Sequence, residues 1–369
     1  MAIRRASRLN DPDFMANKCD EQLDALEDRL NDLYSDAVIE TQTEFEAFIS
    51  KYREEDARKR EQLEAGEITA EEYSEWRQRQ ILRSNRYIAT LDSLTDTMVN
   101  TDILAIGIIR EELPFIVAES YNFVQALGYM AADEAGITVG TFQIYNASTV
   151  QAIIRDNPDL LPYVNVEEDR AWNRSRINRE ITQSIVQGDS IPEVANRLRG
   201  VTNMDRNSAI RNARTSMTAA ENLGRTESAN YIRSQGVPIE EVWSATHDDR
   251  TRETHLMLDG TKKDENGYYG AWLLKTPLRF PGDPQGDPEE VYNCRCRDSI
   301  VLQGIDHSHD SDLYAQFMRT NYPDDYENLQ EWERSHGRSQ AREEAIRRRN
   351  ELRHLTRPYS AREIYRSWE

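Results

Sequence analysis

The sequence predicts a mainly α-helical protein, in which long N-terminal helices and a helical middle are followed by a small α+β module and a helical C-terminal tail. The 369 residues are 38% hydrophobic and 30% charged, a balance that suits extended helices with modest cores. Apolar residues recur at helical spacing over most of residues 20–235. Residues 260–293, in contrast, contain nine glycines and prolines and cannot form one regular element.

Charge and cysteine content limit the classes of partner. A formal net charge of −20 repels nucleic acid over most of the surface, so any DNA contact must be local and protein partners are favoured. Of the three cysteines, Cys19 is isolated in the sequence, which argues against a disulfide framework and indicates a reducing compartment. No signal segment and no apolar run of about 20 residues is present. We therefore expect a soluble cytoplasmic protein, or one that acts in an assembly made in the cytoplasm, with no membrane partner.

The N-terminal segment, residues 1–100, is predicted to form long acidic helices. Apolar residues from about Asp20 alternate spacings of three and four, and an aromatic stripe continues them. Thr69 followed by Glu72 is a capping box that begins a further helix after Gly66. We expect the apolar face to pack on a partner or on the middle of the chain. The two stripes are Leu23, Leu26, Leu30, Leu33 and Ala37, then Phe45, Phe48, Ile49 and Tyr52.

The helical middle, residues 101–240, is predicted to hold the main core. Apolar residues are dense from Leu91 to Ala135, Gly136 ends that helix, and residues 137–146 fit a strand or an extended linker. Further on, Ile177, Ile181 and Ile185 share a helix face before Gly188, and a helix capped by Ser190 is expected to end at Gly200. A long helix then covers about 205–235, with Gly236 and Pro238 after it. Its inner face is lined with small residues, and the presence of Gly224 among them predicts close packing of another helix.

The module, residues 241–305, is predicted to be α+β. Glu240–Thr246 and Asp298–Leu302 fit strands, and Arg250–Leu258 fits a short helix. The Gly/Pro-rich segment between them is too long for an ordinary loop in a compact domain. Such a segment is typically functional, or is fixed by a local crosslink or metal.

Four motifs in this part of the chain carry a resemblance to a known family. They are Ala213-Arg-Thr215 with Ala220-Glu-Asn-Leu-Gly-Arg225; Trp243 before Asp248-Asp-Arg-Thr-Arg252; His255-Leu-Met-Leu-Asp-Gly260; and Arg279-Phe-Pro-Gly-Asp-Pro284 leading to Asn293-Cys-Arg-Cys296. Together they make residues 177–302 resemble the phage Mu gene F-like family of head morphogenesis proteins, also called minor head or minor capsid proteins. The motif residues with expected structural roles are Trp243, Asp248, Asp249, Arg250, Arg252, His255, Asp259, Gly260, Cys294, Arg295 and Cys296.

The resemblance implies a non-enzymatic structural protein of a tailed-phage virion. It implies a place inside the capsid near the portal vertex and a role in head morphogenesis and in DNA packaging or ejection. The implied partners are the portal protein, the major capsid or scaffolding protein, and packaged double-stranded DNA. Residues 1–100 would then be the region that docks on the portal.

Two interpretations of His255, Cys294 and Cys296 stay open. Thiolates and an imidazole are donors that zinc prefers, with His247 or Asp248 as a fourth ligand. The other interpretation makes the cysteines small buried side chains and leaves the protein without a cofactor. The sequence favours packing, because one Cys-x-Cys without a paired Cys-x-x-Cys is the weaker signal.

A metal-dependent nuclease or hydrolase centred on Asp248, Asp249 and His255 is the alternative function, since clustered carboxylates and an imidazole can hold Mg²⁺ and activate water. The structural interpretation, which we favour, has Asp248 or Asp249 capping the short helix and the arginines pairing with acidic neighbours such as Asp259.

The C-terminal segment, residues 306–369, is expected to be a polar helical tail. His307-Ser-His309-Asp310 has a metal-like spacing but fits an exposed loop better. The arginines of residues 338–353 outnumber the glutamates six to three, so DNA phosphate contact through them is a second alternative function. These arginines include Arg338, Arg342, Arg347, Arg348 and Arg349.

Overall fold

The computed structural model describes residues 14–82, 85–138, 147–162, 165–187, 189, 191–302, 310–321, 323–324 and 327. Most of these residues are helical, so the predicted mainly α class with a small α+β module is confirmed. The elements in chain order are α1 (Phe14–Glu64), α2 (Ala70–Leu82), α3 (Asn85–Ala135), α4 (Ala147–Asp156), α5 (Val166–Gln187), α6 (Ile191–Ser234), β1 (Ile239–Ser244), α7 (Glu253–Leu258), α8 (Pro288–Val291), β2 (Arg297–Leu302) and α9 (Asp310–Asn321).

Helix α1 begins at Phe14, earlier than the predicted start near Asp20. Its apolar positions recur at spacings of three and four, which places them on one side of the helix. The aromatic stripe of α1 is buried on the middle of the chain, which was one of the two expected outcomes. The cluster consists of Phe45, Phe48, Ile49 and Tyr52 with Tyr87, Leu91, Leu94 and Met98 of α3, Ile177 and Ile181 of α5, and Val194, Leu198 and Val201 of α6.

The capping box that begins α2 is confirmed. The Thr69 backbone N–H donates to Glu72 Oε2 at 2.8 Å, and the Glu72 N–H donates to Thr69 Oγ1 at 3.1 Å. Each side chain thus satisfies a backbone donor that a helix start leaves without an intrahelical partner.

Helix α3 is the predicted apolar core helix, and Gly136 follows its last residue at φ +67°. A left-handed residue directly after a helix is the usual glycine stop. The proposed strand or linker at 137–146 lies outside the described residues from position 139 onward.

The prediction that a helix ends at Gly200 is wrong, because α6 runs without interruption from Ile191 to Ser234. A mid-helix glycine costs only about 1 kcal/mol relative to alanine, and the flanking Leu198 and Val201 are buried in the core. Burial of the neighbouring side chains therefore outweighs the weak propensity of one glycine. Gly188 and the proposed cap Ser190 lie outside the described residues.

Helices α6 and α3 approach each other closely at Gly224, as the sequence predicted. A Cβ atom at Gly224 would lie 2.5 Å from the Val117 carbonyl oxygen and 3.1 Å from the Tyr121 nitrogen. Both atoms belong to the backbone of α3, which cannot move aside as a flexible side chain can. The small residue is therefore required by the packing of the two helices.

The two predicted strands are confirmed and pair antiparallel. Ile239 lies opposite Leu302 and Ser244 lies opposite Arg297. Gly236, at φ +85°, and Pro238 separate α6 from β1, as the sequence predicted. The 52 residues between the strands contain α7, α8 and the Gly/Pro-rich segment, and all of the candidate motif residues after Trp243 lie in this interval.

Helix α9 is less polar in its contacts than the expected tail. Tyr314 and Met318 are buried, and the Tyr314 ring packs edge-on to Phe123 with ring centroids 5.4 Å apart. Periodic apolar residues in a polar stretch produced this burial. His307, His309 and the arginines of residues 338–353 lie outside the described residues.

The described residues fall into two compact units. Unit 1 contains those within 1–28, 107–162 and 210–341, and unit 2 those within 29–106 and 163–209. Each unit therefore combines parts of several of the four sequence segments. In the part of the chain described, no helix is both long and apolar enough to span a membrane.

Unit 2 contains a pair of aspartates that should make its stability depend on pH. Tyr34 Oη donates to Asp102 Oδ1 at 2.6 Å, and Asn173 Nδ2 donates to Oδ2 at 3.4 Å. Burial, first, and the charge of Asp169 raise the pKa of Asp102 to about 7. Burial and the charges of Asp102 and Asp169 raise the pKa of Asp205 to about 8. The folded chain thus retains protons that the unfolded chain has lost, so this contribution to stability falls as pH rises from about 4 to 8.

Replacing Asp102→Asn removes the contribution of Asp102 to that dependence and leaves the contribution that burial makes at Asp205. We expect the variant to gain about 1–3 kcal/mol of unfolding free energy relative to the wild type between pH 5 and pH 8, measured by urea unfolding. Asp92→Asn is the matched control, because Asp92 pairs with Arg174 where both side chains are exposed, and its difference from wild type should change little with pH. Equal differences for Asp102→Asn at both pH values would contradict the prediction.

Candidate functional site

The candidate site is the segment from Trp243 to Cys296 in unit 1. Trp243 is fully buried at its centre and packs edge-on to both His255 and Tyr269, with ring centroids 5.2 Å apart in each case. The core around them includes Ala245, Leu258, Leu274, Leu278 and the two cysteines. An indole of this size holds together segments that have no regular structure of their own.

The backbone carbonyls of the Cys-Arg-Cys loop accept hydrogen bonds from side chains of α6 and of the residues that follow β1. Thr218 Oγ1 of α6 donates to the Cys294 carbonyl at 2.9 Å, and Asn222 Nδ2 donates to the Cys296 carbonyl at 3.2 Å. Thr246 Oγ1 donates to the Arg295 carbonyl at 2.8 Å. All three carbonyls of the loop therefore have hydrogen-bond donors. These bonds fix the backbone, so that the two cysteine side chains lie in the core.

His255 lies with the two cysteines in what we call the His–Cys cluster (His255, Cys294 and Cys296). All three side chains are about 1% exposed. His255 Nδ1 is 3.7 Å from Cys294 Sγ and 3.4 Å from Cys296 Sγ. The hydrogen bond with Cys296 and the neighbouring His255 lower the pKa of the Cys294 thiol well below its ordinary value.

Glu290 of α8 contacts the other side of the imidazole. Its Oε2 atom lies 3.0 Å from His255 Nε2, which has no hydrogen-bond partner, and the same oxygen accepts from Thr254 Oγ1 at 2.9 Å. Sequence reasoning missed this carboxylate. Glu290 lies at the end of the Gly/Pro-rich segment, and its distance from His255 along the sequence matches no recognised motif.

Asp248 binds Arg295 rather than capping α7. Both Arg295 terminal nitrogens donate to the Asp248 carboxylate, and the Arg250 backbone N–H donates to it at 3.0 Å. These bonds, with that of Arg295 first, hold the pKa of Asp248 well below its usual range. The residue before α7 is Arg252, and it has no side-chain cap. The predicted capping role is therefore wrong. Of the two arginines expected to pair with acidic neighbours, Arg250 lies 3.9 Å from Asp248, whereas Arg252 donates to the Tyr292 carbonyl.

Asp259 and Gly260 return the chain onto β1. Asp259 Oδ1 accepts from the Ala245 backbone N–H at 3.0 Å, and Oδ2 lies 2.8 Å from His247 Nε2. Gly260, at φ +76°, donates to the Trp243 carbonyl at 2.8 Å. The aspartate thus accepts a backbone hydrogen bond and the glycine adopts the positive φ angle, and both are common roles of these residues in turns.

The remaining motif residues lie at the rim of the site. Asp249 and Arg250 are exposed, and the Arg252 guanidinium donates to the Tyr292 carbonyl. Asp248, Asp249 and His255 do not come together as one set of metal ligands. Among the described residues, the metal-type group of three or more ligands is the His–Cys cluster. His247 and Asp248, the two expected fourth ligands, face Asp259 and Arg295 instead.

A second charged group in the site was not predicted. We call it the Lys263 network, which consists of Lys263, Glu241 and Asp298. Lys263 Nζ lies 3.1 Å from Asp298 Oδ2 and also contacts Glu241 Oε1, and all three side chains are nearly enclosed. Tyr269 Oη donates to Asp298 Oδ1 at 2.7 Å. Burial and the Asp298 charge raise the pKa of Tyr269 far above its ordinary value, so it remains a donor.

Comparison with known proteins places this site in a recognised segment. Residues 175–299 match a family model described as Phage Mu protein F like protein. The chain is 29% identical over 168 residues to the Minor head protein GP7 of Bacillus phage SPP1, covering 44% of this chain and 52% of that protein. The matched range agrees with the stretch 177–302, so the resemblance is confirmed and the comparisons support the phage minor head protein family.

A second relative has a different printed description. The chain is 29% identical over 138 residues to the NAD(+)–arginine ADP-ribosyltransferase EFV of Enterococcus faecalis, covering 36% of this chain and 27% of that protein. The chain thus spans about a quarter of one curated relative and about half of the other. No solved structure matches it.

Proposed function

We propose, from the match of residues 175–299 to the phage Mu protein F-like family model, that this chain is a structural minor head protein. It would lie inside the capsid near the portal vertex of a tailed-phage virion and act in head morphogenesis and in DNA packaging or ejection. The portal protein is its proposed partner, with the major capsid or scaffolding protein as a further one. The similarity to a phage minor head protein over 44% of the chain carries this proposal.

The contacts of the motif residues support a structural role. Trp243, His255 and both cysteines are buried, and Asp248, Asp259 and Arg295 bind other parts of the same segment. Side chains that hold an irregular segment together are not thereby offered to a substrate. The ADP-ribosyltransferase relative matches over only 27% of its length, so the activity in its name is not part of the proposal.

Docking through residues 1–100 is a further part of the proposal. The described residues of that segment bury most of their apolar stripes, but Ile39 is 62% exposed on α1. Single exposed apolar residues are common on protein surfaces, so the docking proposal rests on the resemblance, and Ile39 supplies the position at which to test it. Portal docking would remove it from water.

We expect the chain to be found in purified virions and to be retained by the portal protein of the same phage on co-expression. Ile39→Glu should reduce retention at least several-fold, because it places a charge where an apolar contact is proposed. Met257→Glu is the matched control, since Met257 is 49% exposed on α7 in the module and should leave retention unchanged. Absence from virions together with no portal retention would refute the function, whereas retention equal in both variants would refute only the N-terminal docking.

The arginine-rich tail is the basis of the proposed DNA contact. It carries six arginines and three glutamates over residues 338–353 in a chain of net charge −20. We expect weak DNA retention that falls steeply with salt and is lost when residues 328–369 are removed. Retention that survives the truncation, or that is insensitive to salt, would exclude the tail as the DNA contact.

A further inference from the structure

The His–Cys cluster presents two sulfur atoms to one nitrogen atom. The two Nδ1···Sγ distances are 3.4 and 3.7 Å, and all the candidate ligand atoms lie within 4.8 Å of one another. A single imidazole Nδ1 has either one proton or one lone pair in the ring plane. It can therefore form one good hydrogen bond at a time, although both sulfur atoms lie within reach of it.

The distances match those between ligands of one tetrahedral ion. Zinc–sulfur bonds of about 2.3 Å and zinc–nitrogen bonds of about 2.0–2.1 Å, at the tetrahedral angle, place nitrogen and sulfur about 3.5–3.6 Å apart. The two observed distances lie on either side of this value. The donor set of two thiols and one imidazole is also the one that zinc prefers over harder cations.

The far side of the imidazole supplies an independent observation. His255 Nε2 is buried without a hydrogen-bond partner of good geometry, and the Glu290 carboxylate lies 3.0 Å from it. Zinc-bound histidines commonly donate their other N–H to a carboxylate, which fixes the tautomer and increases the basicity of the ligand. Thr254 holds the same Glu290 oxygen at 2.9 Å, so the carboxylate is itself positioned.

We propose that His255 Nδ1, Cys294 Sγ and Cys296 Sγ bind one zinc ion, with Glu290 as the residue that positions the imidazole. The ion would join α7 to the Cys-Arg-Cys loop and so close the Gly/Pro-rich segment between them. This segment has little regular structure, and a bound metal ion would add folding free energy to that of its small core. The proposal does not depend on the role of the chain in a virion.

The described residues supply three of the four ligands. His247 lies against Asp259 and Asp248 against Arg295, so neither joins the cluster. The fourth position would be filled by water or another small ligand, which distinguishes this site from a closed four-cysteine site. We therefore expect binding that is weaker than in closed structural sites, and a thiolate-rich spectrum with an exchangeable ligand.

The test is titration of the reduced, metal-free full chain with Co²⁺, followed by displacement with Zn²⁺. We expect a sulfur-to-cobalt charge-transfer band that saturates at one equivalent and disappears when zinc is added. Elemental analysis of the zinc-loaded chain after desalting should give one zinc per chain. Removal of zinc should lower the melting temperature of the wild type.

Matched variants assign the ligands. Cys294→Ser, Cys296→Ser and His255→Asn should each lose the band, whereas Cys19→Ser should keep it, since Cys19 is buried in the same unit but outside the cluster. Glu290→Gln should keep the band with about 10- to 100-fold weaker affinity, because it acts through His255.

The wild-type titration is decisive by itself, even if a ligand variant fails to fold. Absence of a charge-transfer band, with no zinc retained after desalting, would overturn the proposal. Zinc retained equally by the wild type and by a folded Cys294→Ser, Cys296→Ser double variant would overturn it as well. An unchanged affinity in Glu290→Gln would remove the positioning role of Glu290.

Discussion

Gly224→Ala should destabilise the protein by about 1–3 kcal/mol, although alanine is the better helix former. The added methyl group would lie 2.5 Å from the Val117 carbonyl oxygen and 3.0 Å from Ser120 Cβ. Because two of the three nearest atoms belong to the backbone of α3, the two helices must separate to admit it. The free energy of unfolding in urea measures this effect.

Gly200→Ala is the control on the same helix, with the opposite expected sign. A Cβ atom at Gly200 would meet nothing within 4 Å, so alanine should stabilise α6 by about 0.5–1 kcal/mol through propensity alone. Two identical substitutions in α6 thus separate close packing from backbone entropy. Stabilisation by both would show that α3 and α6 do not approach at Gly224 as described.

Lys263→Met should destabilise the protein by about 3–5 kcal/mol, which is the largest effect that we expect from a single substitution. The substitution keeps the length of the side chain but removes the cation between the two carboxylates. Glu241 keeps its ion pair with Arg233 at 2.6 Å, whereas Asp298 loses the Lys263 ammonium. Asp298 is fully buried and Glu241 is 4% exposed. Thermal and urea unfolding of the full chain would measure the loss.

Lys262→Met tests whether the effect depends on burial. Lys262 pairs with Glu240 at 2.7 Å, but both side chains are about half exposed, so the expected cost is about 0–1 kcal/mol. The two lysines are neighbours in the sequence and differ mainly in their surroundings. Similar losses for both variants would contradict a buried network around Lys263.

The sequence predicted the parts of the fold that depend on local periodicity and on residues that begin or end helices and strands. The capping box at Thr69, the glycine stop after α3, both strands and the close approach at Gly224 are all local signals of this kind. The end at Gly200 was wrong because burial of Leu198 and Val201 is a tertiary contribution. No local pattern in the sequence reports it.

The candidate site was predictable in its members but not in its partners. The motif pointed to His255, Cys294 and Cys296, and the structure brings these three together. It did not predict that Arg295 is the partner of Asp248, or that Glu290 faces His255, since those pairs are separated by 47 and 35 positions. Pairs this far apart in the sequence depend on how the loop folds back in three dimensions. Neither composition nor residue spacing predicts that path.

The dependence of the Cys-Arg-Cys loop on α6 determines which piece of the chain can be moved as a unit. Thr218 and Asn222 bind the loop carbonyls, and the Asn222 side-chain oxygen accepts the Asp298 backbone N–H at 2.8 Å. A fragment cut at residue 241 would lose these donors and expose the loop. Recombination between genes could therefore transfer this segment as a folded unit only together with the C-terminal half of α6. A domain boundary placed at β1 would leave that half of the helix out.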